Sequence, residues 1–212
     1  MLGYIGSGKG TVSDYLVNQQ GFTKDSFASS LKDACAEVFD WPRCLLEGDT
    51  EQSREWREKV DEWWAKELGI PNFSPRLALQ LIGTEAIRNN FNPDIWLLTV
   101  KNRIQKRPDR NVVIADVRFP NEIKLIRELG GTLVHVKRGP DPVWASIAAK
   151  ANAGDDLAME EMLESFPEVH ESEWAWAGTE ADIVLHNEGS LDDLYSLIDS
   201  ALLGKGEIVA SA

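Results

Sequence analysis

The chain has 212 residues, 43% of them hydrophobic, and 35 acidic against 22 basic side chains give a formal net charge of −13. That length suits one domain with insertions around a proper core, and the acidity argues against long nucleic acid, which needs clustered Lys and Arg. Cys35 and Cys44 are too few for a four-ligand zinc site or a disulfide framework, and with no membrane-length apolar run and no signal peptide a soluble cytoplasmic protein is expected.

In chain order the first feature is Gly3 to Lys9, which reads G-Y-I-G-S-G-K and fits the first seven positions of the phosphate-binding pattern G-x-x-x-x-G-K. Small residues let successive N–H groups turn inward toward phosphate oxygens, which marks Gly6, Ser7, Gly8, Lys9, Gly10, Thr11 and Val12 as candidate contacts to ATP. Lys9 adds a mobile positive charge for the terminal phosphates. Val12, Leu16 and Val17 then begin a helical pattern, so a helix N-terminus also faces the anion. Two features depart from the strict pattern. Gly10 replaces the usual Ser or Thr, and the hydroxyl arrives one residue later at Thr11. Magnesium is therefore expected to depend more on water and Asp116 than on Thr11 as a direct ligand. Only Met1 and Leu2 precede Gly3, so the strand that should feed the loop is almost missing. Either the true start lies upstream or the sheet has a short, weakened centre, since a strand there takes about five residues.

Short apolar runs then alternate with helical patterns, which favours α/β with a parallel sheet. Phe22 to Phe27, Val112 to Ala115, Thr132 to Val136 and Ile183 to Leu185 read as strands. Asn121 is an expected N-cap for a helix carrying Ile123, Ile126 and Leu129. A last helix carries Leu191, Leu194, Leu197, Ile198 and Leu202, and the tail after Gly204 is expected to fray. Two helical stretches interrupt the alternation, Ala28 to Arg110 and Pro140 to Glu180. Both read as insertions over the carboxyl ends of the strands, where open α/β sheets bind ligands; the second is a candidate lid.

Within the first insertion, a helix from about Pro75 to Asn89 carries Arg76, Gln80, Thr84 and Arg88 at four-residue intervals. That spacing makes one drifting polar row on an otherwise apolar helix, which suits a wet cleft holding a phosphate and a base edge. An ordinary amphipathic surface helix is the plainer alternative. Glu51 to Leu68, with Trp56, Val60, Trp63, Trp64 and Leu68, is amphipathic and carries no expected catalytic role; it either packs the first insertion or forms part of a homodimer contact. Asp116 follows a β-branched run, where a Walker B-type acid holds magnesium directly or through water. Arg118 and Asn121 share that rim, and Glu122 also reads as a first-turn acid satisfying backbone donors.

The segment G-S-G-K-G-T resembles the loop of adenylate kinase-type nucleoside monophosphate kinases. Behind it come SFASSLK, LQLIGTEAIRNNFNPDIW, DVRFPNE, VHESE and ADIVLHNEGSLDDL. Together these segments resemble the bacteriophage deoxynucleoside monophosphate kinase family. The resemblance implies a single P-loop kinase domain over residues 1–212, three-layer α/β/α, with a parallel sheet of about five strands. Its helical insertions would be an acceptor-nucleotide region at about 28–110 and a lid at about 139–180. It also implies transfer of the ATP γ-phosphoryl to a deoxynucleoside monophosphate with Mg2+, in the host cytoplasm if phage-encoded. By that resemblance Lys9 and Thr11 hold ATP phosphates, and Asn187 and Gly189 lie where the adenine docks. Lys32, Gln80, Arg88 and Trp96 lie near the acceptor, and Arg118 or Arg138 near the reacting phosphates.

Phosphoryl transfer to an ionised acceptor needs alignment and charge neutralisation rather than a strong base. No arginine follows Arg138, so the lid offers only Lys150 and His170. Neutralisation is therefore expected from Lys9, Arg88, Arg118 and Arg138, with His170 either a lid contact or a surface histidine paired with Glu171 or Glu173. Trp96 is either a core anchor or a base-stacking ring. Two other readings are a different small-molecule kinase, of the dephospho-coenzyme A or shikimate type, and a nucleotide-binding regulator without turnover.

Overall fold

The computed structural model describes residues 1–204, so the tail beyond Gly204, expected to fray, lies outside the described residues. In chain order the elements begin with α1 (Lys9–Gln20), β1 (Thr23–Asp25), α2 (Ser29–Phe39), α3 (Glu51–Glu58), α4 (Glu62–Leu68), α5 (Pro75–Gln80) and α6 (Ile95–Gln105). They continue with β2 (Val112–Ile114), α7 (Pro120–Glu128), β3 (Val134–Lys137), α8 (Ala145–Asn152), α9 (Asp156–Ser165), α10 (Glu171–Trp174), β4 (Ile183–His186) and α11 (Leu191–Ile198). The alternation makes an α/β fold. It divides into two compact units, one of residues 26–106 and one of residues 1–25 with the chain from 107 onward. Among the described residues no helix is long and apolar enough to cross a membrane.

In the unit that contains the termini, β1 pairs in parallel with β2, Thr23 opposite Val112, and β3 with β4, Val134 opposite Ile183. The expectation of about five strands in one sheet is met only in part: the described residues form two separate two-stranded sheets. The reason lies in Met1 and Leu2. Leu2 makes a lone bridge to His135, donating from its N–H to the Val134 carbonyl at 2.8 Å and accepting from the Val136 N–H at 3.0 Å. On the other side the Met1 nitrogen donates to the Ile114 carbonyl at 2.5 Å. One bridge is too little to count as a ladder. Behind these strands Val12 and Leu16 of α1 lie one turn apart on the same face and pack with Val113, Val136, Leu185, Leu194 and Ile198. The helix is capped at Phe119 and starts at Pro120, two residues earlier than expected; Asn121 instead accepts from the Glu122 N–H. Glu122 is buried and accepts from the Arg118 and Phe119 N–H groups at 2.7 and 3.1 Å, the first-turn acid role.

Also in this unit, α8 and α9 pack around Ala148, Met162, Trp174 and Ala177. The Asn152 amide ties α8 to the carbonyls of Trp174 and Ala177 at 2.8 and 2.9 Å.

The unit of residues 26–106 is helical in its described elements. Its core joins Leu31, Cys35, Phe39, Trp41, Leu46, Phe73, Ala78 and Trp96, with Phe39 stacked on Trp41 at 4.5 Å. The amphipathic run from Glu51 breaks in two because Asp61 caps α4, accepting from the Trp64 N–H while also taking the Trp41 indole N–H at 2.8 Å. The helix expected from Pro75 is α5 to Gln80, after which residues Leu81–Arg88 widen into π-helical turns. At the widened stretch the buried Trp96 indole donates to the Gly83 carbonyl at 3.0 Å, a side chain intruding on the backbone ladder. Gly83 leaves no room there: a Cβ would stand 2.5 Å from Leu31 Cδ2.

Candidate active site

The phosphate-type loop runs from Gly3 into α1, whose N-cap is Gly8 at φ 103°, a conformation that favours glycine. No side chain caps this helix. Its first N–H groups are thus left for an outside partner, and a twelve-residue helix directs its positive end at the same place. Gly6 and Gly10 are exposed, with no atom within 4 Å of where a Cβ would stand. Ser7 and Val12 are buried, so Val12 offers only its main chain.

Lys9 folds back over the loop, its Nζ donating to the Gly3 and Tyr4 carbonyls at 2.6 and 2.9 Å. Burial, and then the Arg118 charge, pull its amine down from the usual 10.5 to about 8, with Glu173 acting in the opposite direction. The loop is wedged from behind by aromatics. Tyr4 meets Trp176 at 4.7 Å and Trp144 edge-on at 5.2 Å, and His135 meets Trp176 at 5.0 Å. Burial pushes the Tyr4 hydroxyl up to about 12, with the Asp141 charge adding to it.

Asp116 follows β2, half-buried, two residues before Arg118. The Arg118 guanidinium pairs with Glu173 and donates to the Ser172 hydroxyl at 3.2 Å and the Ser172 carbonyl at 3.4 Å. His170 is exposed and caps α10: its Nδ1 accepts from the Ser172 N–H at 3.2 Å and lies 2.9 Å from the Ser172 hydroxyl. It therefore shapes the turn that carries Arg118's partners. Arg138 is exposed just past β3. Thr11 is half-buried and borders a shallow groove with Asp14, Tyr15 and Tyr195. Past β4 the Asn187 side chain is buried and donates to the Ser7 carbonyl at 2.9 Å. Gly189 leads into the Ser190–Asp193 capping box, and a Cβ there would stand 2.6 Å from Asp193 Oδ2.

In the unit of residues 26–106, Lys32 pairs with Glu47 at 2.6 Å, and Arg43 meets the same carboxylate at 2.5 Å. Burial pushes the Glu47 carboxyl up, but hydrogen bonds from Lys32 and Arg43 outweigh it and hold the group below its ordinary range. Of the polar row, Arg76, Gln80 and Thr84 are exposed and Arg88 is half-buried. Arg76 forms a surface pair with Glu58 at 2.7 Å. Trp96 is 5% exposed within the apolar core.

Sequence reasoning missed the holders rather than the held groups. Glu173 and Ser172 for Arg118, Glu47 for Lys32, and the ring cluster around Tyr4 had no signal beyond being polar or aromatic in an insertion. The Asn187 contact joins residues 180 positions apart, which no local pattern reports.

Magnesium suits oxygen donors, keeps several waters, and is usually held through one or two carboxylates and substrate phosphates. The Thr11 hydroxyl and Asp116 carboxylate are donors of that kind. Among the described residues no group of three or more His, Cys, Asp or Glu is gathered to hold a metal. The donor set fits a water-rich magnesium site and not an all-protein cage.

Comparison with known proteins adds the family. The family model described as deoxynucleotide monophosphate kinase matches residues 49–144. A predicted deoxynucleotide monophosphate kinase of Acanthamoeba polyphaga mimivirus is 32% identical over 214 residues, covering 95% of this chain and 94% of its own length. The deoxynucleoside-5'-monophosphate kinase of Escherichia phage T5 is 49% identical over 55 residues, 26% of this chain and 22% of its own. The deoxynucleotide monophosphate kinase of Enterobacteria phage T4 is 27% identical over 134 residues, 61% of this chain and 46% of its own.

Proposed function

This chain belongs to the deoxynucleotide monophosphate kinase family, and from that premise we propose that it transfers the γ-phosphoryl group of ATP to a deoxynucleoside monophosphate. The observation that carries the reading is Lys9, folded onto the Gly3 and Tyr4 carbonyls at the uncapped N-terminus of α1. A cation and a set of unclaimed helix N–H groups converge there, and a polyphosphate answers both.

In this reading the loop from Gly6 to Val12 binds the ATP phosphates. Lys9 exchanges its two carbonyl partners for phosphate oxygens, and Arg118 exchanges Glu173 for the transferring group. Neither residue carries a proton across. Both supply positive charge where charge spreads in a loose transition state. Thr11 and Asp116 are the residues that would hold Mg2+, which would supply positive charge to the phosphate oxygens. Arg138 adds charge past β3, and His170 sets the turn bearing Ser172 and Glu173. Asn187 and Gly189 belong to the ATP side. On the acceptor side Lys32, Arg76, Gln80, Thr84, Arg88 and Trp96 serve the deoxynucleotide, with Arg88 on its phosphate. Residues of about 28–110 form the acceptor region and those of about 139–180 the lid.

We also read the two short sheets as parts of one five-stranded sheet ordered β1, β2, the Met1–Leu2 segment, β3, β4. The support is the pair of bonds from Leu2 to β3 and the Met1 bond to Ile114 of β2. The loop then leaves the sheet at its centre.

The test is a panel of deoxynucleoside and ribonucleoside monophosphates with ATP and Mg2+, scored by ADP release beside a Lys9→Ala control. Phosphorylation of at least one deoxynucleoside monophosphate that the control abolishes is expected. No turnover on any of them sinks the proposal, and tight ATP binding without product points to a regulator instead.

A further inference from the structure

We propose that Asn187 is a positioning residue for the phosphate loop: its side-chain amide fixes the orientation of the Ser7–Gly8 peptide so that the Gly8 N–H is presented to the nucleotide's phosphates. The inference rests on the ATP-binding reading above and gives Asn187 a task independent of the base. Asn187 follows β4 directly, 9% exposed. Its own N–H donates to the Lys137 carbonyl at 2.8 Å, which pins its backbone to the end of β3. Its Nδ2 donates to the Ser7 carbonyl at 2.9 Å in a buried contact.

A trans peptide is planar, so its C=O and N–H point in opposite directions; none of the described peptide bonds is cis. With the Ser7 oxygen held by Asn187, the Gly8 N–H must point away from Asn187. Rotating that peptide the other way would present a carbonyl oxygen to an anion. It would also strand a buried amide and a buried carbonyl without partners, which is costly away from water. Gly8 completes the fit, since a Cβ there would lie 2.4 Å from Asn187 Nδ2. The loop lacks a side chain at the place where the asparagine amide sits.

The contact acts on phosphate and not on adenine, and the experiment separates the two. Binding of inorganic tripolyphosphate, ATP and GTP is measured by calorimetry for the wild type, Asn187→Ala and the isosteric Asn187→Asp. Steady-state constants are taken alongside for ATP and for the acceptor. Both variants are expected to weaken tripolyphosphate and ATP by the same factor, about tenfold or more. The ATP-to-GTP ratio and the acceptor KM stay where they are. Asn187→Asp is the more severe, because its carboxylate faces a carbonyl oxygen near bound phosphate.

Loss of ATP affinity with tripolyphosphate affinity intact overturns the inference and makes Asn187 a base contact. Unchanged affinities in a folded variant overturn it too. If neither variant folds, the wild type decides by NMR: slow exchange of the Asn187 side-chain amide protons supports the clamp, and fast exchange overturns it. A wild type that binds neither tripolyphosphate nor ATP refutes the proposed function itself, a result distinct from all of these.

Discussion

In the unit built around the phosphate loop, charged and polar groups are tied to specific partners at short range: Lys9 to two loop carbonyls, Arg118 to Glu173 and Ser172, Asn187 to Ser7. In the unit of residues 26–106, Lys32 and Arg43 are likewise tied to Glu47, but the row of Arg76, Gln80 and Thr84 stands exposed on a helix whose other side is core, with Arg76 in a surface pair with Glu58. The difference follows from what each binds in the proposed reaction. A polyphosphate is met by preorganised dipoles and cations, which are worth most when they need not reorganise. In that reading the acceptor nucleotide would meet long side chains on a helix packed against an apolar core.

The largest expected effect tests whether the loop's preorganisation matters. Lys9→Ala should lower kcat by about 10³-fold or more while the melting temperature stays close to wild type. A large loss of stability instead would make Lys9 chiefly a brace for the Gly3 and Tyr4 carbonyls. Next come Arg118→Ala and Arg88→Ala, each expected to reduce turnover by about 10²-fold; near-normal turnover in both would remove the assignment of charge neutralisation to these arginines. Glu173→Gln should act in the opposite sense and lower the KM for ATP, because Arg118 loses its resident carboxylate.

Trp96 sharpens the comparison on the other unit. Its indole is buried and bonded to Gly83, so Trp96→Ala should cost about 3–5 kcal/mol of stability in denaturant unfolding. A raised acceptor KM with unchanged stability would show a stacking ring instead of an anchor.

Acidity provides a smaller test. The Lys9 amine titrates near 8 in the folded chain against an ordinary 10.5. Between those values the unfolded chain binds more protons, so the Lys9 contribution to stability improves as pH rises through that window. Below about 8 the amine is charged in both states and its burial is a constant cost. ATP binding runs the other way, since it needs the charge: the KM for ATP should rise several-fold as pH increases through about 8. A flat profile that persists in Lys9→Ala would separate the amine from nucleotide binding. The smallest effect belongs to Arg76→Ala, which breaks an exposed pair with Glu58 and should change stability by about 0–1 kcal/mol. If it raises the acceptor KM tenfold without unfolding, Arg76 is a substrate contact despite that pair.

Some of this was legible in the chain itself. The G-x-x-x-x-G-K spacing, the helix that follows and the β-branched run before Asp116 are local features, and local backbone preference is enough to produce them. The same holds for the strand positions, each found within a residue or two of its expected place, and for the helical character of residues 28–110. The row at positions 76, 80, 84 and 88 was also visible, but not the π-helical widening beneath it. That widening depends on an indole from α6 and on Leu31 of α2 closing over Gly83.

What only the tertiary structure decided is how the charges are held. Glu173 reaches Arg118 across 55 residues and Asn187 reaches Ser7 across 180. The Asn187–Ser7 contact is buried, where no water satisfies a donor or acceptor and the fold must bring a partner to it; the Arg118–Glu173 pair is partly exposed and depends on where the fold places the two residues. A sequence fixes which donors exist; the packing of β3 and β4 beside the loop determines which carbonyl Asn187 can reach. For the same reason the family, the phosphate loop and Asn187 as an ATP-side residue could be read from the residues in order, while the bond from Asn187 to the Ser7 carbonyl could not.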